Sequence, residues 1–130
     1  MEGIDTNILV RYLVRDDENQ YQQTISFLKN CNKFYISPVV LVECVWVLTH
    51  FYQVSPAQQC QKLRAVIQLQ KCLTQDYQAT LKALDDYTNG YDFADAMIGH
   101  HNGLQCKTTW TFDRKASRLS QFSLLRDFDH

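Results

Sequence analysis

Residues 34–48 read FYISPVVLVECVWVL, and the fold turns on how that run divides. Phe34–Ile36 has the aromatic and β-branched make-up of a strand. Ser37 then offers a hydroxyl to cap a helix, and Pro38 suits the first helical position, where its missing N–H would have had no intrahelical partner. The helix predicted from Pro38 runs to about residue 52 and is apolar on every side, the mark of a buried helix. In its middle stands Glu43, among Val39, Val40, Leu41, Val42, Cys44, Val45, Trp46, Val47 and Leu48. Burying an unpaired carboxylate costs several kcal/mol. Glu43 is therefore expected to be neutral, ion-paired or bound to a cation, and no Lys or Arg lies one turn away on this helix.

Outward from this run, strand-like and helix-like stretches alternate. Upstream, residues 2–5 read as a short strand, 7–14 as a short helix and 18–30 as a longer one. Downstream, Ser55 and Pro56 repeat the cap-and-proline signal and start a helix to about residue 70. Residues 76–88 read as a helix stopping near Gly90, and Asp92 caps another ending near Gly103. Residues 104–111 read as a strand, 114–119 as a short helix and 122–125 as a last strand. Such alternation implies an α/β fold, with a parallel sheet covered by helices. No repeat, low-complexity tract or linker interrupts it, so 1–130 is expected to be a single domain.

The bulk properties agree. A chain of 130 residues, 45% hydrophobic and 21% charged, can bury one core and is too apolar to be disordered. Its longest apolar stretch falls short of a membrane helix, and no basic, apolar, small-residue leader opens the chain, so the expected location is the cytoplasm. The five cysteines (Cys31, Cys44, Cys60, Cys72, Cys106) form no CxxC pair and read as reduced packing residues. His50, His100, His101 and His130 lack metal-site spacing, and none is expected to bind a metal. Lys and Arg number 13 against 14 Asp and Glu, for a net charge of −1. If four of the 14 acids are gathered in one site, the remaining surface is mildly basic and compatible with RNA.

In parallel sheets, functional groups collect beyond the carboxyl ends of the strands. Asp5 ends the first predicted strand, Asp113 follows the 104–111 strand, and Asp95 lies in the first turn of the helix capped by Asp92. Taken singly, each has an ordinary role, because Asp caps helices and suits their positive ends. Taken with Glu43, four converging acids require a divalent cation to neutralise them. An all-oxygen set selects a hard ion, Mg²⁺ or Mn²⁺. The reaction best suited to that inventory is phosphodiester hydrolysis.

The stretches GIDTNILVRYLVRDD (3–17), SPVVLVECVWVL (37–48), YDFADAMIG (91–99) and TFDRKASRL (111–119) resemble, in order and spacing, the motifs of PIN-domain ribonucleases. The resemblance is nearest to the VapC-type toxins of toxin–antitoxin pairs and spans residues 3–125. It implies a PIN-like three-layer α/β/α sandwich on a central parallel sheet. Asp5, Glu43, Asp95 and Asp113 match the family's acidic quartet, both catalytic and metal-binding, and Asp92 matches an additional, outer or weaker acid. Thr6, Asn7 and Thr111 match neighbours that orient those carboxylates. The resemblance further implies Mg²⁺ or Mn²⁺ as cofactor, RNA as substrate, a homodimer, and silencing by a cognate antitoxin. A PIN-fold binding module and an RNA-processing nuclease are the alternatives.

Arg11, Arg15, Lys107, Arg114, Lys115 and Arg118 lie near these motifs and are candidates for phosphate contact or simply a solvated face. Tyr12, Phe93 and Trp110 are placed in the core rather than against bases. A receiver domain is disfavoured because Glu43 sits in a helix. A haloacid-dehalogenase-type phosphatase is disfavoured because Asp5-Thr6-Asn7 lacks a second acid.

Overall fold

Ser37 fixes the start of the central helix as its sequence requires: its Oγ accepts the Val40 N–H at 3.2 Å, with Pro38 at the first position. In the computed structural model, which describes residues 1–127, the order begins β1 (Glu2–Gly3), α1 (Thr6–Leu13), α2 (Glu18–Asn30) and β2 (Phe34–Ile36). It continues with α3 (Pro38–His50), α4 (Pro56–Ile67), β3 (Cys72–Thr74), α5 (Tyr77–Thr88), α6 (Phe93–Asn102), β4 (Thr109–Thr111) and β5 (Phe122–Leu124). Short 3₁₀ turns occupy Ala116–Arg118 and Leu125–Asp127. His130 lies outside the described residues. Among those described, no helix is long and apolar enough to cross a membrane.

The chain divides into two compact units, Met1–Tyr77 and the remainder from Gln78. The first holds a parallel sheet ordered β1-β2-β3, with Glu2 opposite Phe34 and Phe34 opposite Cys72. The second holds a parallel pair, β4-β5, with Thr109 opposite Phe122. The parallel α/β class is as the alternation requires, but the strands fall in two sheets where the alternation led to one. The strand β3 has no counterpart in the sequence reading, because a three-residue run is too short to show a period. Conversely, the strand expected over residues 104–111 shrinks to Thr109–Thr111, and Leu104 is 54% exposed. At the amino end the strand stops at Gly3 rather than Asp5.

In the first unit the core contains Leu9, Phe34, Ile36, Leu41, Leu48 and Leu63, all essentially without exposure. Gln59 is equally buried, and its amide donates to Thr49 Oγ1 at 2.9 Å and to the Val54 carbonyl at 2.8 Å, tying α4 to the turn after α3. Lys71 Nζ donates to the Leu28 and Lys29 carbonyls, neutralising the negative end of α2. In the second unit, α5 ends where Gly90 adopts φ +97°, with Tyr91 N–H on the Asp86 carbonyl and Gly90 N–H on that of Tyr87. This is the paired bonding of a glycine-terminated helix. Phe93 is buried, as expected, whereas Trp110 is 42% exposed rather than a core residue.

The cysteines are all free. Cys44, Cys60 and Cys72 are buried, and burial pushes the Cys44 and Cys72 thiols up to about 12, so they stay protonated. Cys106 is exposed and departs from the packing role expected of it.

Candidate active site

Adjacent parallel strands deliver α1 and α3 from the same edge of a sheet, because β1 leads into α1 and β2 into α3. Asp5 stands at the first of these junctions, exposed, after the buried Ile4. Its Oδ1 accepts the Ile8 N–H at 3.0 Å, so it caps α1. The next residue, Thr6, donates its hydroxyl to Glu43 Oε1 at 2.7 Å. The first unit thus brings the Asp5 cap and Glu43 together through Thr6. Asn7 is exposed and, with Asp5, Arg11, Gln20 and Phe27, lines a groove beside α1 and α2.

The expected burial of Glu43 is not found: the residue is exposed. The helix α3 buries Leu41, Cys44, Val45 and Leu48, but leaves Val39 67% and Trp46 55% exposed. An all-apolar helix sequence does not say which side is covered, and here one side is open. Glu43 therefore bears no burial cost that a partner must offset, and its contact with Thr6 ties it to the Asp5 end of α1.

Two of the candidate phosphate-contacting arginines are occupied within the first unit. Arg11 donates to Gln20 Oε1 and Asp16 Oδ1, each at 2.7 Å, and to the Tyr52 hydroxyl at 3.1 Å. Tyr52 in turn donates to Asp16 Oδ2 at 2.6 Å. Arg15 forms a two-pronged pair with Glu18, which holds that carboxyl at about 2. This corner was invisible in the sequence, because Arg11 and Tyr52 are far apart along the chain.

In the second unit Asp92 caps α6, its Oδ2 accepting the Asp95 N–H at 2.9 Å, as expected. Asp95 is partly buried, and its carboxyl is held above the ordinary aspartate range. Burial is the largest cause, followed by the negative charges of Asp92 and Asp113. Asp113 follows β4; its Oδ1 accepts the Ala116 N–H at 2.9 Å, and its own N–H donates to Thr111 Oγ1 at 3.0 Å. Thr111 thus positions Asp113 through the backbone rather than through the carboxylate. Lys107, Arg114, Lys115 and Arg118 are exposed nearby in sequence.

The candidate donors are all carboxylate oxygens, from Asp5 and Glu43 in the first unit and Asp92, Asp95 and Asp113 in the second. Within neither unit, among the described residues, do three or more His, Cys, Asp or Glu side chains already form a cation cage. His100 is paired with Asp86 at 2.7 Å, His50 packs on Trp46, and His101 bonds the Met97 carbonyl, so these three have local partners. No curated protein matches the chain. The family model described as PIN domain matches residues 4–121, a stretch that contains every candidate carboxylate.

Proposed function

The chain belongs to the PIN domain family, whose members are generally metal-dependent nucleases, and from that premise we propose that it is an endoribonuclease using Mg²⁺ or Mn²⁺. In this reading Asp5, Glu43, Asp95 and Asp113 hold the cation, and Asp92 acts chiefly as the α6 cap with an outer role. The observation that carries it is that all four acids fall within residues 4–121, at helix starts, beyond a strand end, or tied to a helix start by a hydroxyl. A purely oxygen donor set suits a hard divalent ion. The raised Asp95 carboxyl also favours it, since an anion disfavoured by burial and by neighbouring anions is relieved by positive charge.

Such an ion would polarise a phosphodiester and lower the pKa of a bound water. The chain's own part is to hold the carboxylates ready. Thr6 fixes Glu43 by its hydroxyl, Thr111 fixes the Asp113 backbone, capping bonds fix Asp5 and Asp92, and the Ala116 N–H fixes the Asp113 carboxylate.

We also propose that the protein is cytoplasmic, forms a homodimer and is the toxin of a pair silenced by a cognate antitoxin. The open side of α3, with Val39 and Trp46, and the nearby Phe51 offer apolar surface for such contacts. The deciding experiment is incubation of purified protein with single-stranded RNA in Mg²⁺, Mn²⁺ or excess EDTA, with sequencing of the cut ends. Metal-dependent cleavage that EDTA stops and added Mg²⁺ restores is expected. Undiminished cleavage in EDTA, or none with either metal, would overturn the reading. Expression from the native operon should yield a co-purifying small partner and a dimer by sedimentation; a monomer without a partner would remove the toxin part alone.

A further inference from the structure

Phe112 is 81% exposed, the most open of the large hydrophobic residues described. An isolated apolar residue on a surface calls for no explanation, but this one is held in place from both sides. The Asp113 N–H is bonded to Thr111 Oγ1, and the Asp113 carboxylate and carbonyl accept the Ala116 and Ser117 N–H groups. The backbone on either side of the ring is thus fixed while the ring gains almost nothing from burial. Two residues earlier, Trp110 is 42% exposed, on the opposite face of β4 from Thr109 and Thr111. Immediately after come Arg114 and Lys115, with Arg118 one turn on, all exposed.

Aromatic rings interleaved with cations are the make-up of a single-stranded nucleic-acid platform, in which rings stack on bases and cations meet phosphates. A protein-binding patch would be depleted of charge at its centre. We propose that Phe112, assisted by Trp110, is a base-stacking residue that seats an unpaired nucleotide of the RNA strand beside Asp113, with Arg114, Lys115 and Arg118 meeting its phosphates. The inference rests on the ribonuclease reading for the identity of the strand. It adds that the enzyme grips bases by their faces at this position, with little preference among them, because every base has a π-face.

The test uses the full-length protein in EDTA, so that binding is measured without turnover. The probes are a labelled oligouridylate and an oligomer of equal length carrying abasic riboses. Wild type should bind the oligouridylate more tightly, and Phe112→Leu should weaken that binding roughly tenfold while leaving the abasic oligomer unaffected. Phe112→Tyr should restore it. In metal, Phe112→Leu should raise KM while kcat for a saturating RNA is retained. Equal binding by wild type and Phe112→Leu overturns the platform while leaving the nuclease reading standing. So does a Phe112→Leu variant that loses self-association or a protein partner but binds RNA normally, which would make this a protein surface. If wild type neither binds nor cleaves any RNA, the nuclease reading falls and takes the platform with it.

Discussion

Thr6 and Glu43, far apart in the chain, are joined by a hydrogen bond of 2.7 Å from hydroxyl to carboxylate, and Thr6 directly follows the Asp5 cap. Glu43 is exposed, so this bond adds little to stability, and its value lies in fixing where the carboxylate points. Thr6→Val, nearly identical in shape, should leave the urea midpoint almost unchanged while raising the Mg²⁺ concentration needed for half-maximal cleavage. Thr6→Ser should recover most of the loss. An unchanged metal requirement in Thr6→Val would mean that the bond is incidental.

Asp5→Asn separates capping from charge. Asparagine caps helices as well as aspartate does, so the bond to Ile8 and the fold should survive while RNA cleavage is lost. Wild type should gain thermal stability on addition of Mg²⁺ or Mn²⁺, by mass action on the folded state, and Asp5→Asn should gain much less. Differential scanning calorimetry with and without metal checks both.

Asp95 predicts a pH dependence of definite sign. Its carboxyl lies above the ordinary aspartate value, chiefly through burial and then through Asp92 and Asp113. Its stabilising, protonated form is therefore complete below the unfolded value and is lost as pH rises through the raised folded value. Asp95→Asn should be more stable than wild type at neutral pH without metal, with the gap closing in acid, yet inactive as a nuclease. Glu18 runs the other way. Its pairing with Arg15 lowers it from 4.5 to about 2, so its contribution is present above 4.5 and fades as pH falls toward 2. Carboxyl NMR titrations of the two residues should shift in opposite directions from model aspartate and glutamate.

Asp92→Asn should keep α6 capped and lose only part of the cleavage rate, while Asp92→Ala should cost about 1 kcal/mol of stability. Loss of cleavage in Asp92→Asn as complete as in Asp95→Asn would place Asp92 among the principal metal-binding acids.

Gly99→Ala tests packing in the second unit. A Cβ at Gly99 would stand 2.5 Å from Gln121 Cγ and 2.6 Å from Phe122 Cε2. Gln121 is held by its amide donating to Asp86 Oδ2 at 3.1 Å, and the Phe122 ring is buried, so overpacking of roughly 1–3 kcal/mol should outweigh alanine's better helix propensity. A lowered Tm is expected; an unchanged or raised one would show that α6 shifts freely.

The sequence by itself determined what is local. Ser37–Pro38 and Ser55–Pro56 set the starts of α3 and α4, Asp92 caps α6, and Gly90 ends α5, because each signal acts within one helical turn. The same locality made Asp5, Asp95 and Asp113 legible as acids at junctions. Only the tertiary structure decided which side of a helix is covered. The apolar run of α3 reads as wholly buried, yet Val39, Glu43 and Trp46 face outward, since hydropathy records what a side chain prefers and not what its neighbours supply. Contacts between distant segments were equally hidden: Thr6 on Glu43, and Tyr52 on both Arg11 and Asp16. Such partners are chosen by the path of the chain in space, and strands as short as Cys72–Thr74 owe their hydrogen bonds to a neighbour, not to a pattern of their own.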